Sequence, residues 1–220
     1  KLMKIKEKHI IDIDGYTFNP SLFKKSNVTN YLDYCKKIVN NCFNKPISLE
    51  VFADDEKGMV RQGKILSELS NNIYVKVPIT FTNGDSTIKV IKQLNDQNIK
   101  LNITAIFLIE QISDIIKSIE ETETILSVFA GRIYDCGINA RQQISHMNKF
   151  IKENSKCKSL WASARMVYDY VDAIETKTDI ITMQVDQIKK LKFIGKNPKV
   201  SSLETVKQFY NDAQSSGFKL

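Results

Sequence analysis

Two hydrophobic periods alternate along the chain. Seven short runs rich in β-branched and aromatic residues read as strands: DGYTF (14–18), SLEVFA (48–53), IYVKV (73–77), KLNITAIF (100–107), ILSVFAG (125–131), KSLWAS (158–163) and DIITM (179–183). Between them, apolar residues recur at helical spacing. Leu108, Ile109, Ile112, Ile115, Ile116 and Ile119 form one stripe over 107–121, and Ile88, Ile91 and Leu94 form another over 86–98. A last helix is predicted to open on Ser201-Ser202-Leu203-Glu204 as a capping box. It would turn Leu203, Val206, Phe209, Tyr210 and Ala213 inward.

Strict strand–helix alternation predicts parallel β-structure with crossover helices. Near-continuous apolar strands predict a sheet covered by helices. The choice lies between an open doubly wound sheet and a closed (β/α)8 barrel. No G-x-G-x-x-G follows the first strand and no GxxxxGK[ST] occurs, which weakens the dinucleotide-binding form of the open sheet. Seven strands is one short of a barrel. Lys1 to His9 reads as the tail of a helix. The chain therefore reads as a (β/α)8 TIM barrel lacking its first strand, and an upstream strand is expected before Lys1. No Pro/Gly/Ser-rich linker divides it, so residues 1–220 read as a single domain.

Composition narrows the class. Of 220 residues, 42% are hydrophobic and 26% charged, a globular mixture rather than a disordered one. The longest apolar run is Ala105 to Ile109, against the ~20 residues a membrane span needs. The first residues show no apolar core of a signal peptide. The net charge of +7 could suit nucleic acid, but the lysines are scattered without an aromatic-interleaved stripe. Cys35, Cys42, Cys136 and Cys157 form no CxxC pair and stand far from His9 and His146, so no metal is expected. They read as reduced thiols of a cytoplasmic protein.

In a barrel, chemistry sits at the C-terminal ends of the strands. Lys76 stands between Val75 and Val77 in such a strand. A buried amine there could attack a carbonyl; an edge-strand lysine facing solvent is the plainer reading. Glu50 lies in the preceding strand, and Asn102 and Thr104 share one side of the next. Arg132 and Arg165 follow the later strands, where guanidinium forks suit a phosphate or a rim salt bridge.

Six segments in order, GYTFNPSL (15–22), SLEVF (48–52), YVKVPIT (74–80), LNITAIF (101–107), SVFAGRI (127–133) and WASAR (161–165), resemble the motifs of the transaldolase family. The resemblance implies a (β/α)8 barrel with a Schiff-base lysine at Lys76 and no metal or organic cofactor. Glu50 would order a catalytic water that shuttles protons with Thr104. Thr17 and Asn19 would contact substrate, and Asn102 would bond the dihydroxyacetone unit. Ser127 and Phe129 would line the pocket, while Arg132, Ser163 and Arg165 would bind phosphate. The implied activity transfers dihydroxyacetone among fructose 6-phosphate, erythrose 4-phosphate and sedoheptulose 7-phosphate in the pentose phosphate pathway. A fructose 6-phosphate aldolase and a non-catalytic sugar-phosphate-binding barrel are the alternatives. In the family, Glu and Phe at the positions of Glu50 and Phe129 go with transfer, and Gln and Tyr with cleavage. No nucleic acid or membrane partner is implied, and a homo-oligomer is left open. Three departures stand out: Phe18 replaces a threonine and Val128 a proline, and the family's first-strand aspartate has no counterpart. Asp12 and Asp14 align with the approach to the second strand.

Overall fold

The computed structural model describes residues 13–42, 44–119 and 123–219. His9, Asp12 and the helix tail read at 1–9 lie outside the described residues. The rest falls into two compact units, one up to Gln184 and one from Val185 on.

The first unit contains all seven expected strands: β1 (Tyr16–Thr17), β2 (Ile47–Glu50), β3 (Ile73–Pro78), β4 (Leu101–Ile106), β5 (Thr124–Val128), β6 (Lys158–Trp161) and β7 (Ile180–Ile181). All neighbours are parallel, and the spatial order is the chain order. A doubly wound sheet reverses its order at a switch point. This sheet does not, so it is the sheet of a (β/α)8 barrel with seven of the strands present among the described residues. It curls until the Thr17 hydroxyl and that of Thr182, just past β7, lie 2.8 Å apart.

The connecting helices are α1 (Pro20–Lys25), α2 (Tyr31–Asn41), α3 (Glu56–Ser67), α4 (Ile88–Asn95), α5 (Ile109–Ile116), α6 (Ala130–Asp135), α7 (Ala140–Asn154) and α8 (Tyr168–Glu175). Side chains of Asn19, Asn30, Asp55 and Asn139 accept backbone N–H groups at the starts of α1, α2, α3 and α7, satisfying donors the helix leaves unpaired. The ILSVFAG run is strand only to Val128. Ala130 and Gly131 already belong to α6.

Side chains alternate across the sheet with period two. The outer set, including Ile47, Leu49, Val75, Val77, Leu101, Ile103, Leu126 and Val128, packs with helix residues such as Ile91, Leu94, Ile112, Ile115 and Ile144 in one continuous core. Each such side chain contributes roughly 1.5–3 kcal/mol when fully buried. The opposite set forms a second, smaller cluster of Tyr74, Ile125, Leu160 and Ala162, flanked by Phe129 and Ile180. Polar residues of the same parity, Ser48, Lys76, Asn102, Thr104 and Ser127, are buried on that inner face. Leu108 departs from its expected stripe. It precedes α5 and stands exposed, because the helix begins only at Ile109.

The second unit holds α9 (Val185–Lys190), a 3-10 turn (Leu191–Phe193) and α10 (Pro198–Ser216). Two expectations fail here. α10 starts at Pro198 behind an Asn197 cap, so Ser201 lies inside it, and Glu204 pairs with Lys196 rather than closing a capping box. Proline at the first helical position costs no hydrogen bond, which favours the earlier start. Leu203, Val206, Phe209, Tyr210 and Ala213 are exposed rather than inward. Their periodicity identifies an apolar face but not anything that buries it. Among the described residues no helix is long and apolar enough to cross a membrane.

All four cysteines are free, and burial pushes the Cys35 thiol up to about 12 while Cys136 is exposed. Desolvation disfavours the thiolate, the reactive form. Iodoacetamide at pH 8 should therefore label Cys136 in the folded chain and Cys35 only after denaturation, as read by peptide mass mapping. Ready labelling of Cys35 under native conditions would contradict this packing.

Candidate active site

Lys76 is central, not on an edge. Its strand β3 pairs with β2 and β4, and the register sets Glu50 beside Lys76 and Lys76 beside Asn102. Only 7% of Lys76 is exposed. An ammonium so placed needs a partner. Its Nζ lies 2.8 Å from Glu50 Oε2 and donates to the Phe18 carbonyl at 3.3 Å. The Glu50 main chain is held in turn by the Tyr31 hydroxyl, which donates to its carbonyl at 2.6 Å. Burial, with Cys35 and the Glu50 charge adding to it, raises the Tyr31 hydroxyl well above its ordinary range, so it remains a donor.

Beside the ion pair runs a buried polar chain. Ser127 Oγ donates to Asn102 Oδ1 at 2.6 Å, and Asn102 Nδ2 donates to Ser48 Oγ at 3.0 Å. The two serines hold the amide plane from both sides, one at each of its polar atoms. An amide oxygen accepts twice and its nitrogen donates twice, so among the described residues one acceptor position and one N–H of Asn102 are unused. Thr104 Oγ1 is buried with no hydrogen-bond partner among the described residues. The strand register shifts between Ile103 and Ile106, and Ala105 has φ of 61°. Such a bulge re-aims the side chains around it.

The remaining expected residues lie at or just after the same strand ends, Thr17 closing β1 and Arg132 inside α6. Thr17 bonds to Thr182, and Asn19 Oδ1 caps α1 through the Leu22 N–H at 2.9 Å. Phe18 does not crowd the inner face, because its ring packs on Phe23 of α1 with centroids 5.9 Å apart. Phe129 sits with its ring 6.0 Å from that of Phe107, and the Arg132 guanidinium lies over it at 5.4 Å. Arg165 forms the rim salt bridge, its Nη2 2.5 Å from Asp135. Ser163, with φ of 62°, turns its carbonyl onto Gly131. The structure thus gathers Lys76, Glu50, Asn102, Ser127 and Thr104 on one face. It sets Phe129, Arg132, Ser163 and Arg165 after β5 and β6. An open depression of about 430 Å3 along α7 and α8, lined by Arg141, His146 and Glu175 among others, includes none of them.

Sequence reasoning passed over Ser48, Thr182, Tyr31 and Asp135. For Ser48 the signal was present, since it shares strand parity with Glu50. The others make contacts across distant parts of the chain, which no local pattern reveals.

A family model described as Transaldolase/Fructose-6-phosphate aldolase matches residues 1–220. A probable transaldolase of Methanococcus maripaludis (strain C5) is 30% identical over 190 residues, covering 86% of this chain and 84% of its own. A probable transaldolase of Cereibacter sphaeroides (strain ATCC 17029) is 31% identical over 180 residues, 81% of this chain and 78% of its own. One from Sulfurihydrogenibium sp. (strain YO3AOP1) is 30% identical over 181 residues, 81% of this chain and 79% of its own. A solved structure of mandelate oxidase with benzoyl-formic acid covers 82% of this chain and 70% of its own at 8% identity and a TM-score of 0.39, too loose a likeness to bear on fold or function.

Gly131, in the first turn of α6 beside Arg132, meets the loop that carries Arg165. A Cβ there would stand 1.8 Å from the Ser163 carbonyl oxygen and 2.9 Å from Arg165 Cγ. Backbone cannot yield as a side chain can, so Gly131→Ala should cost about 1–3 kcal/mol in urea unfolding. An unchanged midpoint would contradict the close approach.

Proposed function

We propose that this chain, which belongs to the transaldolase/fructose-6-phosphate aldolase family and is an enzyme of the transaldolase/aldolase type, transfers a dihydroxyacetone unit between sugar phosphates through an imine on Lys76. The observation that carries the reading is the buried Lys76 amine, within a central strand, 2.8 Å from the Glu50 carboxylate. The reaction belongs to the non-oxidative pentose phosphate pathway, with fructose 6-phosphate as donor and erythrose 4-phosphate as acceptor. Reduced thiols agree with a cytoplasmic setting.

The roles combine what the family resemblance implies with the contacts around Lys76. Lys76 must lose a proton before it attacks, and Glu50 is placed to take it. The neutral amine adds to C2 of the ketose. Glu50 then returns the proton to the carbinolamine hydroxyl, which leaves as water, and an iminium forms. A water held between Glu50 and the unpartnered Thr104 hydroxyl takes the proton of the C4 hydroxyl. The C3–C4 bond breaks, its electron pair moves into the iminium, and an aldose phosphate departs. The enamine left on Lys76 attacks the carbonyl carbon of the acceptor aldose, the new alkoxide regains the proton, and water hydrolyses the iminium. Asn102, oriented by Ser48 and Ser127, bonds a hydroxyl of the three-carbon unit. Thr17 and Asn19 border the substrate, while Arg132, Ser163 and Arg165 take its phosphate.

The aldolase alternative differs in the fate of the enamine. Free dihydroxyacetone forms only if water is positioned to hydrolyse the imine without an acceptor. A tyrosine hydroxyl at position 129 could hold such a water, and the Phe129 ring cannot. Fructose 6-phosphate alone should therefore be consumed slowly. Adding erythrose 4-phosphate should speed its consumption and yield sedoheptulose 7-phosphate. Phe129→Tyr should raise acceptor-free cleavage. Release of dihydroxyacetone as fast as transfer would establish the aldolase instead.

Arg132→Ala should raise KM for phosphorylated sugars roughly 10- to 150-fold, equivalent to the ~1.5–3 kcal/mol of a charge-assisted contact. Equal losses with unphosphorylated sugars would remove it from the phosphate site.

A further inference from the structure

We propose that Asp135 is a positioning residue for the phosphate end of the site: its carboxylate grips one edge of the Arg165 guanidinium and leaves the other edge presented to a phosphate. This rests on the reading of Arg165 as a phosphate ligand.

The grip is one-sided. Arg165 Nε donates to Asp135 Oδ2 at 3.2 Å and Nη2 donates to the same oxygen at 2.5 Å. That uses the Nε edge. Among the described residues both N–H groups of Nη1 and the second of Nη2 remain, and together they form the fork that matches two oxygens of a phosphate. The backbone of Arg165 is fixed independently. Buried Asp169 accepts the N–H groups of Arg165 and Met166 at 2.8 and 2.7 Å and the Trp161 indole at 2.8 Å. With the main chain held by Asp169, the guanidinium is left for Asp135 to aim.

Three further features point the same way. Asp135 and Arg132 are three residues apart on α6 and so share a helix face, the face on which Asp135 holds Arg165. The carboxylate offsets the repulsion between two guanidinium groups that must converge on one anion. The missing side chain of Gly131 leaves room for the Arg165 stem, whose Cγ lies 2.9 Å from where a Cβ would stand. The side chains of Arg165 and Asp135 are 46% and 52% exposed, so the pair contributes little to folding and its removal should leave stability nearly unchanged.

The test compares KM for erythrose 4-phosphate with KM for erythrose as acceptor in Asp135→Ala, Asp135→Asn and Arg165→Ala. Asp135→Ala should raise the erythrose 4-phosphate KM about tenfold with little change in kcat, in the erythrose KM or in the melting temperature. Asp135→Asn keeps an acceptor without the charge and should give a smaller rise. If Arg165→Ala raises the phosphorylated KM while Asp135→Ala leaves it unchanged or lowers it, the carboxylate is idle or competes with phosphate, and the proposal is overturned. If Arg165→Ala itself spares the phosphorylated acceptor, the phosphate role of Arg165 fails and the positioning role fails with it.

Discussion

A charged amine buried in the inner face of a β-sheet is the constraint on which this structure turns. Lys76 sits in the middle of a strand where desolvation alone would cost several kcal/mol. It is kept there by Glu50, one strand away in register, and by the Phe18 carbonyl. The pairing only works if β2 and β3 hold their register, since a one-residue slip would carry Glu50 to the opposite face. That register is secured on the other face, where Ile47, Leu49, Val75 and Val77 are packed under the helices. The apolar face thus stabilises the polar one.

The same division of labour extends along the sheet. The helix-facing core is continuous and mostly aliphatic, whereas the inner face carries an ion pair and, beside it, a chain of bonded polar side chains. Buried polar groups are tolerated when they are bonded to one another, and Ser127, Asn102 and Ser48 meet that condition across three strands. Thr104 does not: its buried hydroxyl has no partner among the described residues, which is what supports the water proposed between it and Glu50. At the loops after β5 and β6 the organising element is steric: Gly131 lets the Ser163 carbonyl approach, and Asp169 ties down the start of the Arg165 loop. Membership of the transaldolase/fructose-6-phosphate aldolase family accords with this arrangement.

What was legible in the sequence follows the range of each interaction. The seven strands were legible because period-two alternation and β-branched runs are local signals, although DIITM yielded only Ile180–Ile181 as strand. Lys76 and Glu50 could be singled out as charges within strands, but their contact depends on register between segments and appears only in the fold. Ser48 was within reach by parity. Asp135 was not, since its partner Arg165 lies 30 residues away. The α10 stripe shows the opposite error, a sound periodicity read as burial. Asn197 with Pro198 began that helix where Ser201 had the more familiar pattern, because a cap is chosen by the backbone path into the helix as well as by side-chain type.

The claim at the centre is that the Lys76 amine becomes covalently bonded to substrate. It is tested most directly by borohydride reduction in the presence of fructose 6-phosphate, followed by peptide mass mapping. A single added three-carbon unit is expected, carried by the peptide that contains Lys76 and absent from Lys76→Ala. An adduct that persists in Lys76→Ala, or one located on another lysine, would contradict it.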